Sequence, residues 1–248
     1  MEWAAPAIVL ATRPHGEGAL VVTVMTEEHG RHAGLAKGGA SRAQAALWQP
    51  GNLIEARWVG RLSEQLGSIS GEMVHAAAAH AMEDPLALSV LTAACAVAEG
   101  ALPEREAHAS CFHGLVRVIA ALARGADHAL PLLAQWETAL LAELGYGLDL
   151  SSCAATGATE ELVWVSPRSG RAVSRAAGEP YADRLLALPE FLRNDTKPSD
   201  AKEWLAGLRL TGFFLSRDAF GLQHRPLPPA RVMLQDRLTT MTEPSENA

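Results

Sequence analysis

The side chains best suited to meet a ligand lie between Gly30 and Trp58. Arg31, Lys37, Arg42 and Arg57 are distributed over two β-like runs, Arg31–Ala36 and Leu53–Val59, and the segment between them, which begins Ala36-Lys37-Gly38-Gly39-Ala40-Ser41-Arg42. Glycine carries no side chain to hold a ligand away from the backbone, and cations spaced along such a loop pair with phosphates. The chemistry on offer is therefore electrostatic capture of a phosphate chain. The plain alternative is a flexible hairpin with solvated charges, the general behaviour of surface loops. Arg13, in a turn cluster ahead of the second strand, is a further candidate. Arg168, Arg171 and Arg175 form a second group within Val165–Gly178, a stretch that holds no acid. Phosphate contact and a solvated loop surface are equally compatible with them.

Covalent and metal chemistry find less support. Gly39-Ala40-Ser41-Arg42-Ala43 lacks the final glycine of a nucleophile elbow, and no strand leads straight into a helix there. A hydrolase built on Ser41 would need His29 or His32 as its base. Lys37-Gly38-Gly39 places lysine before the glycines, the reverse of a phosphate loop. His75 and His80, like His108 and His113, are spaced so that two ligands do not stack on one helix face. No HExxH occurs. Cys95 and Cys111 fall on helical apolar patterns and read as core. Trp48 and Trp58 could stack bases, but as large apolar side chains they are read as core. The expectation is no catalytic group, no metal and no cofactor.

The elements that must position these residues follow from period. Ile8-Val9-Leu10, Ala19–Thr26, Arg31–Ala36, Leu53–Val59 and Gln65–Glu72 are short β-branched or alternating runs separated by glycine turns. Five such strands at close spacing predict a small closed barrel. In Leu53–Val59, Leu53, Glu55 and Arg57 alternate with Ile54, Ala56 and Trp58, which sends Arg57 outward and Trp58 inward. From His75 the pattern is helical. Asp84-Pro85 starts one helix, which ends at Gly100. A second is predicted from Leu102-Pro103-Glu104 to Gly125, with Leu115, Val118, Ile119 and Leu122 as its stripe, and a third from Pro131 to Gly145. Residues 148–182 read as irregular. Asp200–Phe220 is a long helix buried through Trp204, Leu208 and Leu215. Pro228-Pro229 opens a short one to about Leu238, and residues 240–248 form a polar, disordered tail.

Composition bounds the function classes. The 248 residues are 48% hydrophobic and 20% charged, enough for a full core. No apolar run is long enough to span a membrane, and the N-terminus is not a signal peptide. Three scattered cysteines fit a reducing cytoplasm. Net charge is −7 but unevenly placed. Residues 1–72 hold six Lys/Arg and seven Asp/Glu, residues 73–161 three and eleven, and residues 162–248 twelve and ten. The acid is concentrated in the middle, and a nucleic-acid surface would have to avoid it.

The order of these features resembles the bacterial RecO family of recombination mediators. The resemblance rests on Ile8-Val9-Leu10 and the Arg13-Pro14-His15-Gly16-Glu17 turn. It continues through Thr26-Glu27-Glu28-His29-Gly30, Ala36-Lys37-Gly38, Pro50-Gly51, Leu141–Gly147, Leu148-Asp149-Leu150, Cys153, Thr156-Gly157, Ser166–Gly170 and Phe213–Arg217, nearly the whole chain. It implies an α+β architecture, with an OB-fold barrel over residues 1–74 and a helical domain over 75–248. It implies binding of single- and double-stranded DNA and strand annealing, and loading of RecA with RecR on DNA coated by single-strand-binding protein. The location implied is the cytoplasm, at the nucleoid. A related expectation is an adaptor between RecR and single-strand-binding protein with weak DNA binding of its own. The implied DNA contacts are Lys37, Arg42, Arg31 and Arg57, with Arg13 possible. Four such cations would give a salt slope of about −3.6 on duplex DNA. Many members carry a paired CxxC zinc site in the irregular region. Here Cys153 stands alone, with Thr156, Ser174 and Ala177 at the other places. A structural zinc needs four ligands, so none is expected, and packing of Trp164 and Tyr181 with hydrogen bonds from Thr156 and Ser174 must hold the region.

Overall fold

The computed structural model describes residues 1–62, 65–194 and 199–243. They fall into two compact units, Met1–Ala126 and Asp127–Ala248.

The first unit is built on a closed barrel of β1 (Glu2–His15), β2 (Ala19–Thr26), β3 (Gly30–Ala36), β4 (Leu53–Val59) and β5 (Gly67–His75). The strands close in the order β1-β2-β3-β5-β4, with β4 returning to β1. Only β3 and β5 pair in parallel. This is the OB-fold arrangement. One long strand serves two neighbours because β1 carries an irregularity between Val9 and Ala11. Glu2–Ile8 pair with β4 and Ala7–His15 with β2. Such a bulge bends a strand and increases its twist. Alternation fills the interior: Ile54, Ala56 and Trp58 point inward while Glu55, Arg57 and Val59 are exposed. Trp58 lies in the centre with Val22, Val24, Ile69 and Trp48, and its Nε1 donates to the Ala33 carbonyl at 3.1 Å. Truncating such a tryptophan to alanine costs on the order of 3–5 kcal/mol. Gly67 is required beside it, since a Cβ there would stand 2.4 Å from Trp58 Cε2.

The glycine-rich segment is a folded plug and not a loose hairpin. Successive turns run through it, with Ser41 N donating to Gly38 O at 3.0 Å and Ala45 N to Ser41 O at 2.8 Å. Leu47 and Trp48 are buried in the barrel. Asn52 clamps its end: Nδ2 donates to the Ala46 carbonyl at 2.7 Å, and Oδ1 accepts from Ala78 N at 3.1 Å. Burial of the apolar side chains offsets the entropy that a free loop would keep.

Helices complete the unit: α1 (Ala77–Ala81), α2 (Pro85–Ala101) and α3 (Ala109–Leu122). Asp84 caps α2, its carboxylate accepting from Leu86 N at 2.8 Å, with Pro85 at the first turn. α2 packs on β1 and α3 on β2, so the compact unit runs on to Ala126 although helical sequence begins near residue 75. The helix expected from Leu102 starts only at Ala109. Residues 102–108 instead lie along β3, where Arg105 N donates to Arg31 O at 2.8 Å and Arg105 takes a left-handed φ of 62°. Partnership with a strand edge overrides the Pro-Glu start signal. The predicted stripe is buried at Leu115, Val118 and Ile119 and half-buried at Leu122.

In the second unit α4 (Ala126–Glu143) begins five residues before Pro131, which sits inside the helix. Proline removes one hydrogen bond there, and burial of Ala129, Leu130, Leu133 and Trp136 outweighs the loss. Residues 148–182 are more regular than their composition suggests. β6 (Leu162–Val165) pairs with β7 (Ala172–Ser174) and with β8 (Leu186–Ala187), and α5 (Arg175–Gly178) follows β7. These strands are too short to show a period. α6 (Ala201–Phe214) is capped by Asp200 and continues as π-helix through Leu215–Phe220. Leu208 and Leu215 are buried and Trp204 half-buried. α7 (Pro229–Thr242) runs past the expected end at Leu238. The hydroxyls of Thr239, Thr240 and Thr242 donate to carbonyls four residues back, so polar residues expected in a tail extend the helix. Of that expected tail, residues 244–248 lie outside the described residues.

α4, α6 and α7 are joined by a fully buried ion pair. Arg231 donates through Nε to Glu137 Oε1 at 2.5 Å and through Nη2 to Oε2 at 2.9 Å. Arg231 Nη2 also reaches the Leu208 carbonyl at 2.7 Å, and Thr211 Oγ1 donates to Glu137 Oε2 at 2.5 Å.

Candidate nucleic-acid interface

Each candidate cation of the barrel has a distinct fate. Lys37 leaves the end of β3 exposed, and among the described residues it has no ion-pair partner. Arg42 is exposed in the turns that follow and is likewise unpaired among them. Arg57 points outward from β4 with its side chain 62% exposed, but its Nη2 lies 2.5 Å from Glu2 Oε1. Arg13 pairs with Glu99 of α2 at 2.8 Å. Arg31 is the least available, with its side chain only 17% exposed. Its Nε donates to the Leu102 carbonyl at 2.8 Å, and Glu104 lies 3.5 Å from its Nη1. It pins the 102–108 segment to the barrel.

Two of these cations share a groove. Lys37 and Arg57 line a cleft of about 250 Å³ together with Leu35, Val59, Ser68, Ile69 and Ser70. Strand pairing puts them there. Leu35 lies beside Ser68, Val59 opposite Ser68, and Arg57 opposite Ser70. The two serines escaped attention in the sequence. The signal that could have found them is the period of β5, in which Ser68 and Ser70 face out while Ile69 is buried. The next outward pair, Glu55 opposite Glu72, is anionic and bounds the groove along the strands.

In the second unit, Arg168 and Arg175 are exposed and have no ion-pair partner among the described residues, whereas Arg171 is held by Asp149 at 3.2 Å. Asp149 is drawn below the usual carboxylate range chiefly by hydrogen bonds from Ser151, with Arg171 adding to them.

The tryptophans considered as base-stacking platforms are interior, Trp48 and Trp58 both being buried. Trp3, half-buried, makes ring contacts with His29 at 4.7 Å, His32 at 5.4 Å and Trp58 at 6.2 Å. His32, the nearest base to be imagined for Ser41, is buried, and neither ring nitrogen has a hydrogen-bond partner among the described residues. Burial foremost, and then the Arg105 charge, pushes its pKa below the ordinary histidine value.

Residues 1–77 match the family model described as Recombination protein O N terminal, and residues 82–226 the one described as Recombination protein O C terminal. DNA repair protein RecO of Acidiphilium cryptum is 57% identical over 251 residues, covering 100% of both chains. DNA repair protein RecO of Gluconacetobacter diazotrophicus is 54% identical over 245 residues, 97% of this chain and 96% of that one. The protein of the same name from Granulibacter bethesdensis is 53% identical over 244 residues, 98% of each. The chain belongs to the RecO family.

The RecO family is one of DNA repair mediators and not of catalysts. Membership sharpens the zinc question, and the donor set here does not fit that ion. Cys153 is the single thiol of the β6–β7 region and is buried. Ser174 N, the strand-end residue at one of the other expected places, donates to Cys153 Sγ at 3.3 Å. Burial alone would push this thiol up. Hydrogen bonds from Ser174 and Thr156, with main-chain N–H groups of Ser174 and Ala155, more than offset it and bring it down to about 6. The places that would supply further zinc ligands thus turn hydrogen-bond donors toward the sulfur and carry no second thiol. Trp164 packs on Gly178, where a Cβ would stand 2.4 Å from its ring. Tyr181 does not share that packing as expected, being 57% exposed on a 3-10 turn.

Proposed function

We propose that this RecO-family chain binds single- and double-stranded DNA through the phosphate backbone without sequence preference. It anneals strands covered by single-strand-binding protein and, with RecR, helps load RecA, working at the nucleoid in the cytoplasm. The observation that carries the reading is the groove on the outer barrel face, where Lys37 and Arg57 converge beside two serine hydroxyls. With few open cations, binding is moderate and strongly salt-dependent, since each phosphate contact releases counterions. The test is an electrophoretic shift with single-stranded DNA at two salt concentrations, comparing the parent with the double reversal Lys37→Glu/Arg42→Glu. Both positions are exposed, so the fold is kept and affinity at low salt falls roughly 10- to 100-fold. Unchanged affinity would remove the barrel from the DNA site.

A second reading, an adaptor between RecR and single-strand-binding protein, is favoured by a groove in the second unit. Arg209, Phe213, Ser216, Arg217, Val232 and Gln235 are among the residues lining a cleft of about 550 Å³ between α6 and α7. An apolar floor edged by two arginines suits an acidic tail ending in a hydrophobic residue. Arg217 is already engaged by Asp218 at 2.7 Å and lies 4.8 Å from the Phe214 ring centre, which leaves Arg209 as the more open charge. A chain that fails to bind single-stranded DNA alone, yet binds a peptide of that tail, would make the adaptor the main role.

A further inference from the structure

We propose that residues 102–108 form an acid-sensitive latch on the edge of β3: when His32 takes up a proton the latch lifts, and Arg31 is released into solvent. The latch itself is independent of DNA, and only its consequence for the groove rests on the DNA-binding reading above.

The latch is held by close fit more than by a ladder of hydrogen bonds. β3 meets β5 at Gly34 and Leu35, which leaves the edge at residues 30–33 to the latch. Arg105 N donates to Arg31 O at 2.8 Å, Arg31 Nε donates to Leu102 O at 2.8 Å, and a bridge pairs Arg31 with Glu104. A Cβ on Gly30 would stand 1.8 Å from the Glu106 carbonyl oxygen, so the two main chains touch. Arg105 takes a left-handed φ of 62° here, a conformation that a non-glycine residue keeps only under constraint from its surroundings. A segment tied in this way opens locally before a barrel unfolds.

His32 is the trigger. It points inward, 5% exposed, edge-on to Trp3 at 5.4 Å and to Trp58 at 4.8 Å. Neither ring nitrogen has a hydrogen-bond partner among the described residues. The charged and titratable groups that act on it are Arg105 and Glu104 of the latch and His29 of the β2–β3 turn, while β1 and β4 present Trp3 and Trp58. Glu104 is shared between Arg31 at 3.5 Å and Arg105 at 3.8 Å. An imidazolium at this place is therefore buried beside a guanidinium, with Glu104 divided between two arginines. Of its walls the latch is the one that yields. Trp3 and Trp58 lie on strands paired from Glu2 to Ile8, and Trp58 Nε1 is bonded to the Ala33 carbonyl. Lifting the latch carries Arg105 away and lets water reach the ring. Burial foremost and then Arg105 hold the folded pKa below the ordinary histidine value. The closed latch is thus fully favoured above about pH 6.5 and is lost as pH falls towards the folded pKa. Arg31 lies on the outward face of β3 with Leu35 of the groove, so its release extends the positive edge of the groove.

The experiment is nuclear magnetic resonance of the full chain, labelled with nitrogen-15, between about pH 7.5 and 5.5. It follows the hydrogen exchange of the Arg105 amide, corrected for the intrinsic pH dependence of exchange, the Nε–H signal of Arg31 and the His32 ring. Protection of the Arg105 amide is expected to fall up to about tenfold over this range, one proton being linked to opening. The Arg31 Nε–H signal disappears with it, and protected amides of β1 and β4 change less than about twofold. His32→Phe keeps the latch closed at both ends of the range. Unchanged protection of Arg105 in the parent overturns the proposal, and so does an equal loss in β1 and β4, which would be unfolding of the barrel. Opening that persists in His32→Phe moves the trigger to another group, His108 at 3.9 Å from Glu106 being the nearest on the latch, and overturns it as well. The parent decides even if that variant does not fold, because a His32 ring that titrates outside the range of latch opening overturns the trigger. A latch that opens in a chain that binds no DNA removes the reading of the groove and leaves the latch standing.

Discussion

If the barrel binds DNA as proposed, the salt slope of binding separates the cations that meet phosphates from those that hold the fold. Four barrel cations would give a slope of about −3.6 on duplex DNA, at about 0.9 per phosphate. Arg31 leaves that count, because its guanidinium is occupied by the Leu102 carbonyl at 2.8 Å and faces Glu104. Lys37 and Arg42 remain, for about −1.8, and Arg57 raises this to about −2.7 only when it trades Glu2 for a phosphate. Differences between variants isolate these terms from any contribution of Arg168 and Arg175. The perturbations are Lys37→Gln, Glu2→Gln and Arg31→Gln, each measured as the dissociation constant for one duplex across a series of salt concentrations. Lys37→Gln flattens the slope by about 0.9, and Glu2→Gln steepens it by up to about 0.9 by freeing Arg57. Arg31→Gln leaves the slope unchanged but destabilises the unit Met1–Ala126 by about 1.5–3 kcal/mol, the worth of hydrogen bonds to a charged group. The reasoning is refuted if Arg31→Gln flattens the slope as much as Lys37→Gln does, or if Glu2→Gln leaves it untouched.

Other consequences concern the frame. Arg231→Met strands Glu137 in a fully buried site and destabilises the second unit by about 3–5 kcal/mol, while Glu137→Leu/Arg231→Met recovers most of this. Urea unfolding in which the single variant loses less than about 1 kcal/mol would show the pair to be dispensable. His32 is held neutral by burial and by Arg105, with its folded pKa below the unfolded one. Its contribution is therefore whole above about pH 6.5 and is lost as pH falls towards the folded pKa. Thermal unfolding of the parent should weaken over that window more than that of His32→Phe, and identical pH profiles would count against it. For Cys153, purified chain is expected to carry no stoichiometric zinc and to unfold identically with and without chelator, whereas Cys153→Ala melts a few degrees lower in both conditions. One zinc per chain by atomic emission, removable with loss of structure, would overturn the hydrogen-bonded closure.

What could be read from the sequence, and what could not, divides by range. β2, β3 and β4 follow from residues next to one another: Ile54, Ala56 and Trp58 alternate with Glu55 and Arg57, and the pleat does the rest. The caps at Asp84 and Asp200 are similarly local. The α3 start failed because its deciding partner, the edge of β3, lies about seventy residues away, and Pro131 misled because the burial of Trp136, Leu130 and their neighbours outweighs its penalty. The candidate site divides the same way. Outward pointing is local, and it put Lys37 and Arg57 on the surface. Availability is not local, because it depends on whether a carboxylate distant in sequence folds back onto the cation. Glu99 reaches Arg13, Glu104 reaches Arg31 and Glu2 reaches Arg57 across separations that no spacing rule covers. This bears on the evenly balanced charge of residues 1–72. That near-neutral sum looks unpromising for a DNA surface, yet Lys37 and Arg42 are among the cations with no ion-pair partner among the described residues. Both lie in the segment between β3 and β4. Three of the six cations of residues 1–72 are spent on carboxylates distant in sequence, whereas Lys37, which lines the groove proposed for a phosphate chain, has no ion-pair partner among the described residues.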